Sequence, residues 1–239
     1  MAYQSVFSRY ELKYLLTPAQ KKRVLGAMAP YMKLDAYGRT TIRNIYYDTP
    51  SYRLVRQSLE HPVYKEKLRI RSYEQATSSS PVFVELKKKW NGVVYKRRIS
   101  LPEGQAVAWL AGAVPCQRED QILREIEYFR TFYETLRPAV FLTYEREAYY
   151  SVDGSDFRVT FDENILCRQK NISLRGGVWG TPLLGPGQTL MELKCSGGIP
   201  LWMTAVLAEQ GIYKTSFSKY GAAYEKMIYP YLQGGRLYA

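Results

Sequence analysis

The stretch KEKLRIRSY, residues 65–73, decides the reading of the fold. In a β-strand successive side chains alternate between faces, so Lys65, Lys67, Arg69 and Arg71 project to one side while Leu68 and Ile70 project to the other. Neighbours two residues apart lie about 7 Å from one another, where like charges repel by about 0.6 kcal/mol in bulk water and several-fold more where water is scarce. Four cations sharing one face call for an anion.

The same alternation recurs along the chain. Segments rich in Tyr, Val, Ile, Phe and Thr with a period of two lie at 6–15, 39–47, 63–73, 81–89, 93–101, 139–150, 156–167 and 189–195. Glu11 and Lys13 share a face, as do Glu85, Lys87 and Lys89, Lys96 and Arg98, and Glu192 and Lys194; Arg146 and Arg158 add single cations. Leu12, Leu86, Ile99, Leu101 and Leu193 occupy the opposite faces. On any one strand the simplest reading is a solvated outer face, where lysines also block edge-to-edge association. Repeated on six or seven strands, the pattern points instead to a barrel with a charged interior and apolar faces packed outward against helices, because ordinary surfaces intersperse both signs. A wet cationic interior is costly without counter-charge, and phosphate chains supply it through charge-assisted bonds to Arg forks and Lys ammonium groups.

Between the strands, Thr17 and Pro18 read as N-cap and first position of a helix to about Met32. Further helices are expected at 103–112, at 119–136 with Ile122, Ile126, Phe129 and Tyr133 on one face, and at 200–210 and 217–230. Asn91-Gly92 is a hairpin signal between two strands. The stretches at 74–80 and 175–188 read as loops, not linkers, because basic strands continue on both sides of each. The expected architecture is one α+β domain over residues 1–239, an antiparallel eight-stranded β-barrel tunnel with a charged interior and flanking α-helices.

Composition narrows the chemistry. The 239 residues carry 34 Lys and Arg against 22 Asp and Glu, a net charge of +12, which favours polyanionic partners. With 46% hydrophobic residues the chain can bury a sizeable core. Cys116, Cys167 and Cys195 are scattered and odd in number, and His61 is the only histidine, so disulfide frameworks, zinc knuckles and Ser-His-Asp chemistry are poorly supplied. No 18-residue apolar run and no signal-peptide core is present, so a cytoplasmic location is expected, with the cytoplasmic membrane face as a peripheral alternative. The carboxylates Glu11, Glu85 and Glu192 can neutralise neighbouring cations or hold a divalent metal that bridges phosphates; Glu192 is the preferred ligand, with Glu11 as its companion. In KTSFSKYGAAYEKM, residues 214–227, Ser216 or Ser218 can cap a helix whose N-terminus, with Lys219 beside it, suits an anion; a plain capped surface helix fits equally well.

The ordered set RYELKYLL, NIYYDTPSY, KLRIRSY, VFVELKKK, YKRRISL, YEREAYY, FRVTFDENI, MELKC and SFSKY resembles the catalytic domain of the vacuolar transporter chaperone (VTC) polyphosphate polymerases. More distantly it is similar to the triphosphate tunnel metalloenzymes, the CYTH-like superfamily. The resemblance spans about residues 7 to 228. It implies an antiparallel barrel whose tunnel holds triphosphate or polyphosphate, lined by Lys13, Arg69, Arg71, Lys87, Lys96, Arg146, Arg158, Lys194 and Lys219, with Glu192 holding Mn²⁺ or Mg²⁺. Lys65, Lys67 and Arg98 are added from alternation alone. Two positions depart from the family. Hydrolytic relatives often begin Glu-x-Glu-x-Lys, whereas Arg9 stands at the first position here; and Ser216 stands where the eukaryotic polymerases have a lysine, for which Lys214 is a candidate substitute.

The resemblance implies transfer of the γ-phosphoryl group of ATP or another nucleoside triphosphate to a growing polyphosphate, with inorganic polyphosphate, tripolyphosphate or pyrophosphate as ligands. Coupling to transport would require a membrane-protein partner. Hydrolysis of inorganic triphosphate, or binding of a phosphate ligand without catalysis, are the alternatives. Nucleic acid is not expected, since the 22 tyrosines are dispersed as core residues are rather than gathered into a stacking platform.

Overall fold

The computed structural model describes residues 10–234 except 92 and 117–119. The chain begins with β1 (Tyr10–Leu16), α1 (Pro18–Met28), β2 (Met32–Leu34), β3 (Thr40–Asp48), α2 (Arg53–Leu59) and β4 (Tyr64–Ser72). The hairpin β5 (Pro81–Trp90) and β6 (Val93–Pro102) follows, then α3 (Glu103–Leu110), α4 (Gln121–Tyr133), β7 (Arg137–Ser151), β8 (Arg158–Arg168), β9 (Thr181–Pro182) and β10 (Thr189–Cys195). The chain continues through α5 (Leu201–Glu209), β11 (Lys214–Thr215), α6 (Lys219–Ala223), a π-helical segment (Tyr224–Ile228) and α7 (Tyr229–Gly234).

All eight strands expected from alternation form, as β1, β3, β4, β5, β6, β7, β8 and β10. They belong to one eleven-stranded antiparallel sheet, ordered β11-β1-β10-β8-β7-β3-β4-β5-β6, with β2 added on β7 and β9 on β8. The sheet thus has three short strands more than the eight-stranded barrel expected, and its hydrogen-bonded path ends at β6 and β11 without closing. Strands of two or three residues are too short to show a period. The Asn91 turn is as expected: Trp90 pairs with Val93, and Asn91 takes the positive φ of 44° that asparagine tolerates.

Thr17 accepts from the Gln20 backbone while Gln20 reaches back to the Thr17 N–H, a capping box with Pro18 at N1. This helix stops at Met28, earlier than expected, and the chain re-enters the sheet at Met32. The helix expected at 217–230 is broken into the short α6, the π-helical segment and α7. Helix α2 was not foreseen. Its start is fixed by a tertiary device, since the buried Asp48 carboxylate accepts from the N–H groups of Leu54 and Val55 and from the Tyr220 hydroxyl. Arg9, Gly92 and Glu119 lie outside the described residues.

The pleats point as the alternation requires. Leu68, Ile70, Val84, Leu86, Ile99 and Leu101 are buried against α3 and α4, where they meet Trp109, Ile126 and Phe129. Tyr14, Leu16, Val159, Phe161, Met191 and Leu193 pack outward on Val24 and Met28 of α1 and Met203 and Val206 of α5. The inner face is not charged throughout, however. Ile42, Tyr46, Leu142, Tyr144 and Leu190 join Val55 of α2 and Tyr220 and Tyr224 in an apolar cluster, so α2 and α6 fill one part of it.

Two substitutions on adjacent residues of β5 test this orientation. Leu86→Ala is expected to cost about 2–5 kcal/mol in urea denaturation, because the residue is fully buried among the helices. Lys87→Ala, on the inner face, is expected to cost less than about 1 kcal/mol.

Candidate active site

The inner face places four carboxylates, Glu11, Glu85, Asp162 and Glu192, among the expected cations. Glu85, 1% exposed, accepts from Arg69 Nε at 2.8 Å and lies 2.5 Å from Lys96 Nζ and 3.9 Å from Arg71 Nε. The strand register explains this set, since Glu85 stands opposite Arg69 on β4 and opposite Arg98 on β6. Burial opposes ionisation of Glu85, but Arg69, Arg71 and Lys96 outweigh it and hold its carboxyl well below the usual range. Arg71 also donates to Asn44 Oδ1 and to the Tyr144 hydroxyl, and Arg69 donates to the Tyr46 hydroxyl, each at 2.9 Å. Arg98 lies over the ring of Phe83 at 4.4 Å.

A second cluster surrounds Glu192 and Asp162. Lys219 Nζ lies 2.5 Å from Asp162 and 3.0 Å from Glu192, and sits 4.7 Å above the Tyr144 ring. Arg146 grips both oxygens of Asp162 at 2.6 Å and reaches Glu192 at 3.5 Å. Lys194 and Lys13 approach Glu192 at 3.3 and 3.8 Å. Burial pulls the Lys219 ammonium down, but Asp162 and Glu192 prevail and raise it above the ordinary lysine range. A third ion pair crosses the lumen from β5 to β1, with Lys87 Nζ 2.9 Å from Glu11. Lys87 is the main cause of the drop in the Glu11 carboxyl to about 2.

The sequence-derived residues divide accordingly. Lys13, Arg69, Arg71, Lys87, Lys96, Arg146, Lys194 and Lys219 converge on the carboxylates. Lys67, chosen from alternation alone, is on the same face and donates to Ser218 Oγ at 3.0 Å; Lys65 donates to the Ser58 carbonyl. Arg158 has the inner-face parity of Thr160 and Asp162 but lies at the exposed start of β8. Lys214 does not replace the missing lysine: it stands opposite Tyr14, whose side chain is on the outer face, and is exposed. Ser218, not Ser216, caps α6 by accepting from Gly221 N–H, and with five residues α6 is too short for the expected helical anion site. Asp162 was missed, although it lies four residues after Arg158 and so shares its face. Tyr46, Tyr144 and Asn44 were missed as well, and Arg146 two residues after Tyr144 was the available signal.

The metal expectation meets a specific obstacle. Every inner carboxylate is engaged by at least one cation, and among the described residues no three Asp, Glu, His or Cys side chains converge as a metal cluster. Were a divalent cation bound, Glu192 with Glu11 would hold it and it would supply positive charge to phosphate oxygens, in competition with Lys13 and Lys219 for Glu192.

Lys67, like Lys65, has no carboxylate partner among the described residues, and it is the more deeply enclosed by other cations. Burial, then the charges of Lys13, Lys87, Lys65 and Arg69, lowers its ammonium to about 7. A polyanion in the lumen favours the charged form, so tripolyphosphate binding is expected to draw in a proton near and above pH 7. Affinity then falls as pH rises through 7. The ligand-free protein responds in the opposite sense, with the Lys67 contribution to stability rising from pH 7 towards the ordinary lysine value of 10.5. Calorimetry in buffers of different ionisation enthalpy reads the uptake, which Lys67→Met is expected to reduce; Lys96, lowered to about 8, accounts for a smaller remainder at higher pH.

Two solved structures with this architecture are distant in sequence. A Bacillus halodurans protein provisionally assigned as an adenylate cyclase is 15% identical, with a TM-score of 0.55 over 90% of this chain and 96% of its own. A Hippeastrum protein, provisionally assigned as an adenylyl cyclase and described as revealing a dominant triphosphatase activity, is 17% identical, with a TM-score of 0.51 over 91% of this chain and 95% of its own. These likenesses show that the fold is shared. No curated protein matches the chain. The family model for the VTC domain matches residues 8–228, nearly the whole sequence, and the chain belongs to the VTC domain family.

Proposed function

We propose that residues 1–239 act as one phosphotransferase unit, a polyphosphate polymerase that passes the γ-phosphoryl group of ATP, or of another nucleoside triphosphate, to the end of an inorganic polyphosphate in the lumen. The observation that carries this reading is the inner face itself. Cations outnumber carboxylates there, and those without a carboxylate, Lys67 first among them, obtain their counter-charge from the ligand. Transfer of this kind depends on alignment and charge stabilisation, so no protein nucleophile is needed. Arg69 and Arg71, held in orientation by Glu85, Tyr46, Asn44 and Tyr144, clamp the transferring group with planar forks. Lys87, Lys96, Arg146, Lys194 and Lys219 hold the chain, with Lys13, Lys67, Arg98 and Arg158 along its path. Mn²⁺ or Mg²⁺, held by Glu192 with Glu11, would neutralise charge on the phosphate oxygens.

Hydrolysis of inorganic triphosphate is the second reading, favoured by the structural likeness to the Hippeastrum protein. No described helix is long and apolar enough to cross a membrane. The cytoplasm, including the face of its membrane, and a membrane-protein partner for transport are part of the proposal.

With ATP, Mn²⁺ and a short phosphate primer, long metachromatic chains on a gel are expected. Rapid orthophosphate release from tripolyphosphate with no chain growth would instead establish the hydrolase. Arg69→Ala and Glu192→Gln are expected to lower turnover by at least a hundredfold while circular dichroism stays that of the parent; full activity in either variant refutes the site.

A further inference from the structure

Outside the lumen, the buried cations Arg43 and Arg168 have no counter-charge among the described residues. Arg43 on β3 stands opposite Thr143, and Arg168 on β8 stands opposite Phe141, two residues along the same neighbouring strand β7. Both are on the outer face, with Ile45 and Phe141, which belong to the cluster under α3 and α4. Arg43 is 8% exposed and Arg168 2%. The Arg168 guanidinium lies 3.7 Å from the Phe141 ring centroid and 4.6 Å from that of Trp179, and donates to the carbonyls of Asn171, Gly177 and Trp179. Its Nη2 is buried without a partner, and so is Arg43 Nε. Among the described residues no carboxylate pairs with either arginine. Burial, and for Arg168 also the nearby Arg43 charge, pulls both guanidinium groups below their ordinary range. The covering loop is fitted closely: a Cβ on Gly180 would lie 2.5 Å from the Cys167 carbonyl oxygen, and one on Gly176 would lie 3.3 Å from Arg168 Nη2.

We propose that Arg43 and Arg168 form a second anion site, on the outer face of the sheet, for a compact tetrahedral oxyanion such as orthophosphate or sulfate. A buried charge without a partner is strongly destabilising, and the carbonyls around Arg168 satisfy only its Nε and Nη1 groups and supply no net negative charge. An oxyanion placed between the two side chains would accept from both free N–H groups and neutralise the pair. The proposal does not depend on what the lumen does, because it concerns the opposite face of the sheet.

The test is thermal unfolding at constant ionic strength in chloride, acetate, sulfate and orthophosphate. The lumen also attracts anions, so the comparison is made in an Arg69→Ala background as well as in the wild type. Sulfate and orthophosphate are expected to raise Tm above the chloride and acetate values, and Arg43→Gln to remove that rise in the Arg69→Ala background. In chloride, Arg43→Gln is expected to unfold at a higher temperature than the parent, since the unpaired charge is gone. Arg43→Lys, which keeps charge but loses the fork, should retain only part of the anion response. Tripolyphosphate turnover is expected to be unchanged by Arg43→Gln. In crystals soaked with tungstate, an anomalous peak between Arg43 Nε and Arg168 Nη2 supports the site. An undiminished sulfate response in Arg43→Gln/Arg69→Ala, or tungstate confined to the lumen, overturns it.

Discussion

The fold depends on the direction of its pleats. A sheet whose apolar residues face outward needs a cover on that side, and the chain provides it with α3 and α4 over one region and α1 and α5 over another. The outer core frees the inner face to hold charge, which a conventional small barrel would fill with side chains. Desolvation is offset within that face by the few carboxylates, each engaging one to four cations. A buried ion cluster of this kind is weak evidence for stability, and its value here lies in holding long basic side chains in fixed places.

Most of this was legible because the decisive signal is local. A period of two needs only neighbouring residues, and every long strand shows it. What escaped was set by contacts distant in sequence. Helix α2 follows an irregular Thr49-Pro50-Ser51-Tyr52 turn in which Tyr52 has a positive φ of 57°, and it is stabilised by Asp48, which also binds Tyr220 from the far end of the chain. No window around residues 53–59 contains that information. The short strands β2, β9 and β11 exist because longer neighbours offer them an edge.

Within the site, cations were easier to identify than their partners. A repeated lysine or arginine stands out on a strand, whereas Asp162, Tyr46 and Tyr144 resemble common core or turn residues until the register sets them beside Arg146, Arg69 and Arg71. Lys219 was marked by its place beside an expected helix N-terminus and again by the resemblance; no strand alternation reaches it, because it enters from α6. Alternation contributed Lys67. Lys214 shows the limit of arguing by proximity in sequence: two residues from Ser216, it belongs to the other side of the sheet.

The open path between β6 and β11 has a mechanical consequence. Elsewhere the wall is joined by ladders of backbone hydrogen bonds, which resist separation cooperatively; between β6 and β11 no such ladder is present among the described residues. Stiffness is therefore unevenly distributed around the circumference. Among the described residues the wall is a clasp rather than a ring, with backbone ladders holding the register along its path and ending at β6 and β11.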